Sequence, residues 1–299
     1  MTKALVLSGG GAVGIAWEIG VAAGLARGGV DLREADFITG TSAGSAVGAR
    51  LALRRDLEAQ VALYRGAARR PTSPGESDNA LRMPSDERMA KLMEVIADAL
   101  SQDASPEERR AAVGRFALES RTPPEQVFLA AFADLKGEVF PPHFACPAVD
   151  AVSGAYIMWD AKSGAALDRA VASSCAVPGL FAPITIHGRR YIDGGFRSGT
   201  NADLAKGYGR VLIVSLLSGA RSTGAIDPRM LPAAQLEEEV ATLRSGGAEV
   251  VVVEADDAGA RAMGANLMNP TVAPIALEEG IRQGEMEARG LAEFWNCSR

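Results

Sequence analysis

The chain is expected to fold as an α/β protein of three layers, a wound and mostly parallel sheet flanked by helices. Three features predict this. Residues 3–8 form a short apolar run that ends in glycines and passes directly into a helical pattern. Residues 36–39 repeat that order one helix later. Two strongly β-branched runs, 210–217 and 248–255, flank a further helical pattern. Strand–turn–helix units in succession imply parallel strands joined by crossover helices.

The elements follow in order. After the strand at 3–8 and its glycine turn, residues 12–26 are predicted as a helix ending near Gly28-Gly29. The strand at 36–39 meets Gly40-Thr-Ser-Ala-Gly44, and one helix is expected from there to about Arg65. Residues 66–84, with Pro71, Pro74 and Gly75, read as a link. Met89, Leu92, Met93, Ile96 and Leu100 then share a helical face. Ser105-Pro-Glu-Glu108 supplies an N-cap, a first-turn proline and a capping-box acid, and Thr122-Pro-Pro-Glu125 is expected to repeat that device. Residues 66–140 are read as a helical insertion within one domain of 1–299. Its stretch 85–135 is a candidate cover for a site or a lipid-facing surface, with core packing as the plainer alternative.

Two hairpins are expected next, 144–151 with 155–159 and 183–187 with 189–192, separated by a short helix at 167–174. The runs 210–217 and 248–255 read as central strands, with an acidic amphipathic helix at 231–243 between them.

The bulk chemistry excludes several functions. Of 299 residues 47% are hydrophobic and 23% charged, with a net charge of −6, so neither disorder nor a basic nucleic-acid track is indicated. The apolar runs are too short to span a membrane and none reads as a signal peptide. A cytoplasmic protein is expected, with any membrane contact peripheral. Cys146, Cys175 and Cys297 are widely spaced and there are only two histidines, so reduced thiols and neither metal nor cofactor are expected. Oligomeric state leaves no mark in the sequence.

Gly9-x-Gly11-x-x-Gly14 has two readings. It fits a dinucleotide loop, and it also fits a row of backbone N–H groups facing an oxyanion. The dinucleotide reading, an oxidoreductase, needs an acid at the end of the second strand. After Phe37-Ile38 comes Gly40-Thr-Ser42-Ala-Gly44, a G-x-S-x-G nucleophile elbow in the required strand-to-helix context. A serine nucleophile needs a base. A triad of Ser42, Asp168 and His187 is formally available. The other candidate is Asp193, at a strand end before Gly194-Gly195, as a turn-former or as a base acting directly on the serine.

Three blocks together resemble the patatin-like phospholipase family: Gly9-Gly10-Gly11-Ala-Val-Gly14, Gly40-Thr-Ser42-Ala-Gly44 and Asp193-Gly194-Gly195. The stretch 172–183 is similar to the family segment upstream of the aspartate, and 266–270 is compatible. The resemblance implies a Ser42–Asp193 dyad without a catalytic histidine, an acyl-enzyme on Ser42, and oxyanion donors from Gly9, Gly10 and Gly11. Val13 departs from the pattern, since many bacterial members carry arginine there. That removes one anion-holding side chain and weakens any expected preference for anionic head groups.

The expected function is hydrolysis of lipid acyl esters, of the phospholipase or lysophospholipase type. The alternatives are a non-lipid carboxylesterase or thioesterase on the same dyad, a nucleotide-binding oxidoreductase using residues 9–14, and a catalytically silent binding protein.

Overall fold

The computed structural model describes residues 1–67, 86–101, 103–216, 233–264 and 266–296. In chain order the elements are β1 (Lys3–Leu7), α1 (Gly11–Arg27), β2 (Phe37–Gly40), α2 (Ala43–Ala52), α3 (Leu57–Ala67), α4 (Asp86–Ser101), α5 (Pro106–Glu119) and α6 (Glu125–Leu129). They continue with β3 (Phe144–Asp150), β4 (Tyr156–Trp159), α7 (Leu167–Ser174), β5 (Ile184–Ile186), β6 (Arg189–Asp193) and β7 (Arg210–Ser215). The last are α8 (Ala233–Ser245), β8 (Glu249–Glu254), α9 (Asp257–Met263) and α10 (Ala273–Asn296). The chain packs as two compact α/β units, Met1–Arg70 with Gly199–Arg299, and Pro71–Ser198. The strands are mixed in direction, parallel in the first unit and antiparallel in the second.

In the first unit the strand order is β2-β1-β7-β8, every pair parallel. Because side chains alternate along a strand, each face carries its own apolar set. Ala4, Val6, Val211, Ile213 and Val250 pack with Leu236, Val240 and Leu243 of α8. The alternate residues Leu5, Leu212 and Val214 are equally buried. Burial on both faces is why these strands read as continuous apolar runs. Helix α1 is buried almost all round, so its sequence shows no amphipathic stripe. It meets α10 along a seam of small residues. A Cβ at Gly20 would come within 2.3 Å of Leu277 O, and one at Gly284 within 2.4 Å of Val21 O, so both helices need glycine there.

The second unit orders its strands β5-β6-β3-β4, all antiparallel. His187 and Gly188, both at positive φ (50° and 75°), close the β5–β6 hairpin as a two-residue turn whose twist matches the strands. The Trp159 indole donates to Ser173 Oγ at 3.0 Å and meets Tyr191 edge-on, which fixes α7 over the sheet. Phe128 stacks on Phe181 with centroids 3.9 Å apart. The capping box of α5 forms as expected: Ser105 Oγ accepts from Glu108 N, and the Glu108 carboxylate accepts from Ser105 N.

Three expectations need correction, and one helix had no expectation behind it. The helix from Gly44 to Arg65 is two helices, broken where Arg54 takes φ 53° and the Asp56 carboxylate caps the N–H groups of Glu58 and Ala59. Thr122-Pro-Pro-Glu125 makes no capping box. Pro124 is the N-cap, and the Glu125 carboxylate instead accepts from Thr185 N at 2.8 Å and pairs with Arg169. Among the described residues β8 pairs with β7 alone and lies at the sheet edge rather than at its centre. The long helix α10 was not anticipated, because its glycines and acids mask its apolar face. Most of the 66–84 link, and Cys297, lie outside the described residues; residues 66 and 67 end α3. Among the described residues no helix is long and apolar enough to cross a membrane.

Candidate active site

Register brings the two turns of the first unit side by side. Leu7 of β1 pairs with Gly40 of β2, so both strands end at the same level and both chains turn there into helices. At the second turn Ser42 adopts φ 51° and ψ −115°, a conformation non-glycine residues seldom take, and α2 begins immediately after it. The flanking glycines make the bend possible. A Cβ on Gly40 would come within 2.0 Å of Gly44 O, and one on Gly44 within 2.3 Å of Leu7 O. Ser42 therefore stands at the N-terminus of a helix, where backbone dipoles favour negative charge.

The glycine turn lies beside it: a Cβ on Gly9 would stand 3.7 Å from the Cβ of Ser42. The Gly9 N–H is already engaged, donating to Gly199 O at 2.8 Å. Of the three amides expected to face an oxyanion, that of Gly9 therefore already has an acceptor. Gly11 is at φ 60°, and a side chain there would meet Leu267 O at 2.7 Å. Gly14 is pinned by packing, since a Cβ would fall 3.3 Å from that of Ala43. Val13 is fully buried and its N–H donates to Leu267 O at 3.0 Å, so position 13 faces the interior. The 266–270 stretch thus braces the glycine turn.

A loop segment that no motif marks supports the two turns. Residues 199–202 run beside both turns. The Thr41 hydroxyl donates to Thr200 O at 3.2 Å and accepts from Asn201 Nδ2 at 3.0 Å. Thr200 Oγ1 and Ala202 N both donate to Glu239 Oε2, at 2.5 and 2.9 Å. A signal did exist. Glu239 stands in the apolar stripe of α8 with Leu236, Val240 and Leu243, where an acid is out of place.

The second unit holds Asp193, buried, at the end of β6 and opposite Ala148 of β3. Its N–H donates to Ala176 O at 3.1 Å, tying it to the 172–183 segment, and its Oδ1 accepts from Gly195 N at 2.7 Å. Gly194 allows this close packing: a Cβ there would meet Pro147 O at 2.4 Å. Asp168 lies in the first turn of α7. His187 is in the turn before β6, its Nε2 3.2 Å from Ser163 O. Asp193 is at the far end of that strand, about 13 Å on at strand rise. His143 lies in the turn that precedes β3. Cys146 and Cys175 are buried and, among the described residues, form no disulfide; burial pushes the Cys146 thiol well up.

The family model described as patatin-like phospholipase matches residues 5–206. The chain belongs to that family. Membership implies a lipid acyl hydrolase with a lipid substrate. Comparison with curated protein sequences returned no match. Among solved structures, this patatin-like chain is similar to VipD from Legionella pneumophila at 14% identity and a TM-score of 0.44, over 97% of this chain and 67% of that one. It is also similar to the type III effector protein ExoU at 15% identity and a TM-score of 0.41, over 97% of this chain and 53% of that one.

Proposed function

We propose that this patatin-like protein hydrolyses lipid acyl esters through an acyl-enzyme, with Ser42 as nucleophile and Asp193 as its base. Ser42 Oγ attacks the ester carbonyl as its proton passes to the Asp193 carboxylate. The N–H groups of Gly10 and Gly11, with the helix N-termini behind them, stabilise the tetrahedral oxyanion. The proton returns to the departing alcohol, leaving an ester on Ser42. Water, deprotonated by Asp193, then releases the fatty acid and restores the serine.

The observation that carries the reading is the backbone of Ser42. A serine held at positive φ between two obligatory glycines, beside a glycine turn, is strain in a place where a nucleophile requires it. Asp193 is supported by its burial, by its Gly-Gly setting and by family membership. The glycine turn supports an oxyanion rather than a pyrophosphate, because an elbow serine stands where a ribose-binding acid would be needed.

Hydrolysis of p-nitrophenyl acyl esters tests the assignment. Activity should vanish in Ser42→Ala and Asp193→Asn and survive in His187→Ala. Loss in His187→Ala with survival in Asp193→Asn would replace the dyad by a triad. A lipid panel read by mass spectrometry separates phospholipid, lysophospholipid, glyceride and thioester substrates.

A further inference from the structure

We propose that Glu239 is a positioning residue for the nucleophile, acting on Ser42 through Thr200, Asn201 and Thr41. The proposal rests on the reading of Ser42 as nucleophile. Glu239 lies on α8, far along the chain from any of the three family blocks, and no step of the reaction above uses it.

The chain of contacts is continuous and lies within one unit. Glu239 Oε2 receives the Thr200 hydroxyl and the Ala202 N–H. These two bonds clamp residues 200–202 on both sides of Asn201, which is held at φ 49° and ψ 39° in the left-handed region. From that position Asn201 Nδ2 donates to Thr41 Oγ1, and Thr200 O accepts from the same hydroxyl. Thr41 immediately precedes Ser42, and its carbonyl accepts from Gly44 N at 2.9 Å, closing the elbow. One residue upstream, Gly199 O accepts from Gly9 N at 2.8 Å, so the same segment also sets the glycine turn.

An acid suits the position for a stated reason. Two donors converge on one oxygen, and a carboxylate oxygen has lone pairs for both. A leucine would fit the apolar stripe of α8 and leave both donors unmatched. A glutamine keeps an amide oxygen that can accept both. Glu239, which is only 7% exposed, therefore fixes the path of 199–202, and that path fixes where Thr41 and Gly9 hold the two turns. Ser42 is strained and depends on such support.

The test uses the full chain with Glu239→Leu, Glu239→Gln and Thr200→Val. Ester hydrolysis by Glu239→Leu should fall in kcat by about tenfold to a hundredfold, the scale of a small misplacement of reacting groups. KM should stay within about twofold, because binding is not what Glu239 serves. Glu239→Gln, which keeps an oxygen for both donors, should recover most of the rate. Hydrogen exchange should rise in peptides covering 8–12 and 39–45 of Glu239→Leu, not in Glu239→Gln, and not in 144–150. A folded Glu239→Leu with wild-type kcat and unchanged exchange at 39–45 overturns the proposal. If that variant does not fold, Thr200→Val, which removes only the hydroxyl, decides in the same two readouts. If the wild-type chain cleaves no acyl ester, the nucleophile reading falls, and exchange at 39–45 still decides whether Glu239 holds the elbow.

Discussion

The two strand-to-helix turns of the first unit start from neighbouring parallel strands and reach neighbouring helices, yet they solve different problems. The turn after β1 is glycine at 9, 10 and 11, and offers backbone without a reactive side chain. The turn after β2 places glycine at 40 and 44 only, and forces the residue between them, Ser42, to φ 51°. The first turn is permissive; the second concentrates strain on one side chain. In the proposed mechanism the reacting group is held rigid where the backbone has least freedom, and the developing charge is met where the backbone is bare.

Breaking the second turn has the larger effect. Ser42→Ala should lower kcat for ester hydrolysis by about 10⁴-fold or more, with the fold retained as read by thermal melting. Asp193→Asn should lower it on the order of 10²–10⁴-fold, the range of general-base removal. The glycines come next. Gly40→Ala drives a methyl within 2.0 Å of Gly44 O, and overpacking of this kind costs roughly 1–3 kcal/mol, read by denaturant unfolding. The α1–α10 seam sharpens the point, since Gly284→Ala should cost about as much. Gly290, on the same helix, has nothing within 4 Å, so Gly290→Ala should stabilise by about 0.5–1 kcal/mol.

The most pH-dependent effect involves α1. Glu18 is 1% exposed with both carboxylate oxygens unpartnered, and burial raises its pKa well above the usual carboxylate range. The folded state therefore keeps a proton that the unfolded state releases. Stability contributed by this group is full below the ordinary carboxylate pKa and is lost as pH rises toward the raised value, at up to about 1.4 kcal/mol per pH unit. Glu18→Gln should flatten that part of the stability–pH profile. An unchanged slope would mean that Glu18 finds a partner in solution.

The sequence made the local devices legible. The two glycine-flanked turns, the α5 capping box, both hairpins and α7 are each specified by a few adjacent residues. What it concealed was long-range. Thr122-Pro-Pro-Glu125 matches a capping box in letters, but Glu125 is recruited by Thr185, sixty residues away. α10 is recognisable only beside α1, where Gly280 and Gly284 meet Gly20 and Gly24. The engagement of Gly9 N–H by Gly199, and the clamp of Glu239 on Thr200 and Ala202, join segments that no motif connects. A motif locates a nucleophile; the residues that hold it come from wherever the fold passes nearby.

The most direct measurement is intact mass after exposure to a fluorophosphonate, with the site located by peptide mapping. A single adduct on Ser42, absent from Ser42→Ala and strongly slowed in Asp193→Asn, is the predicted result. A well-folded chain that takes up no adduct, or takes it up on another serine, would contradict the assignment of Ser42 as nucleophile.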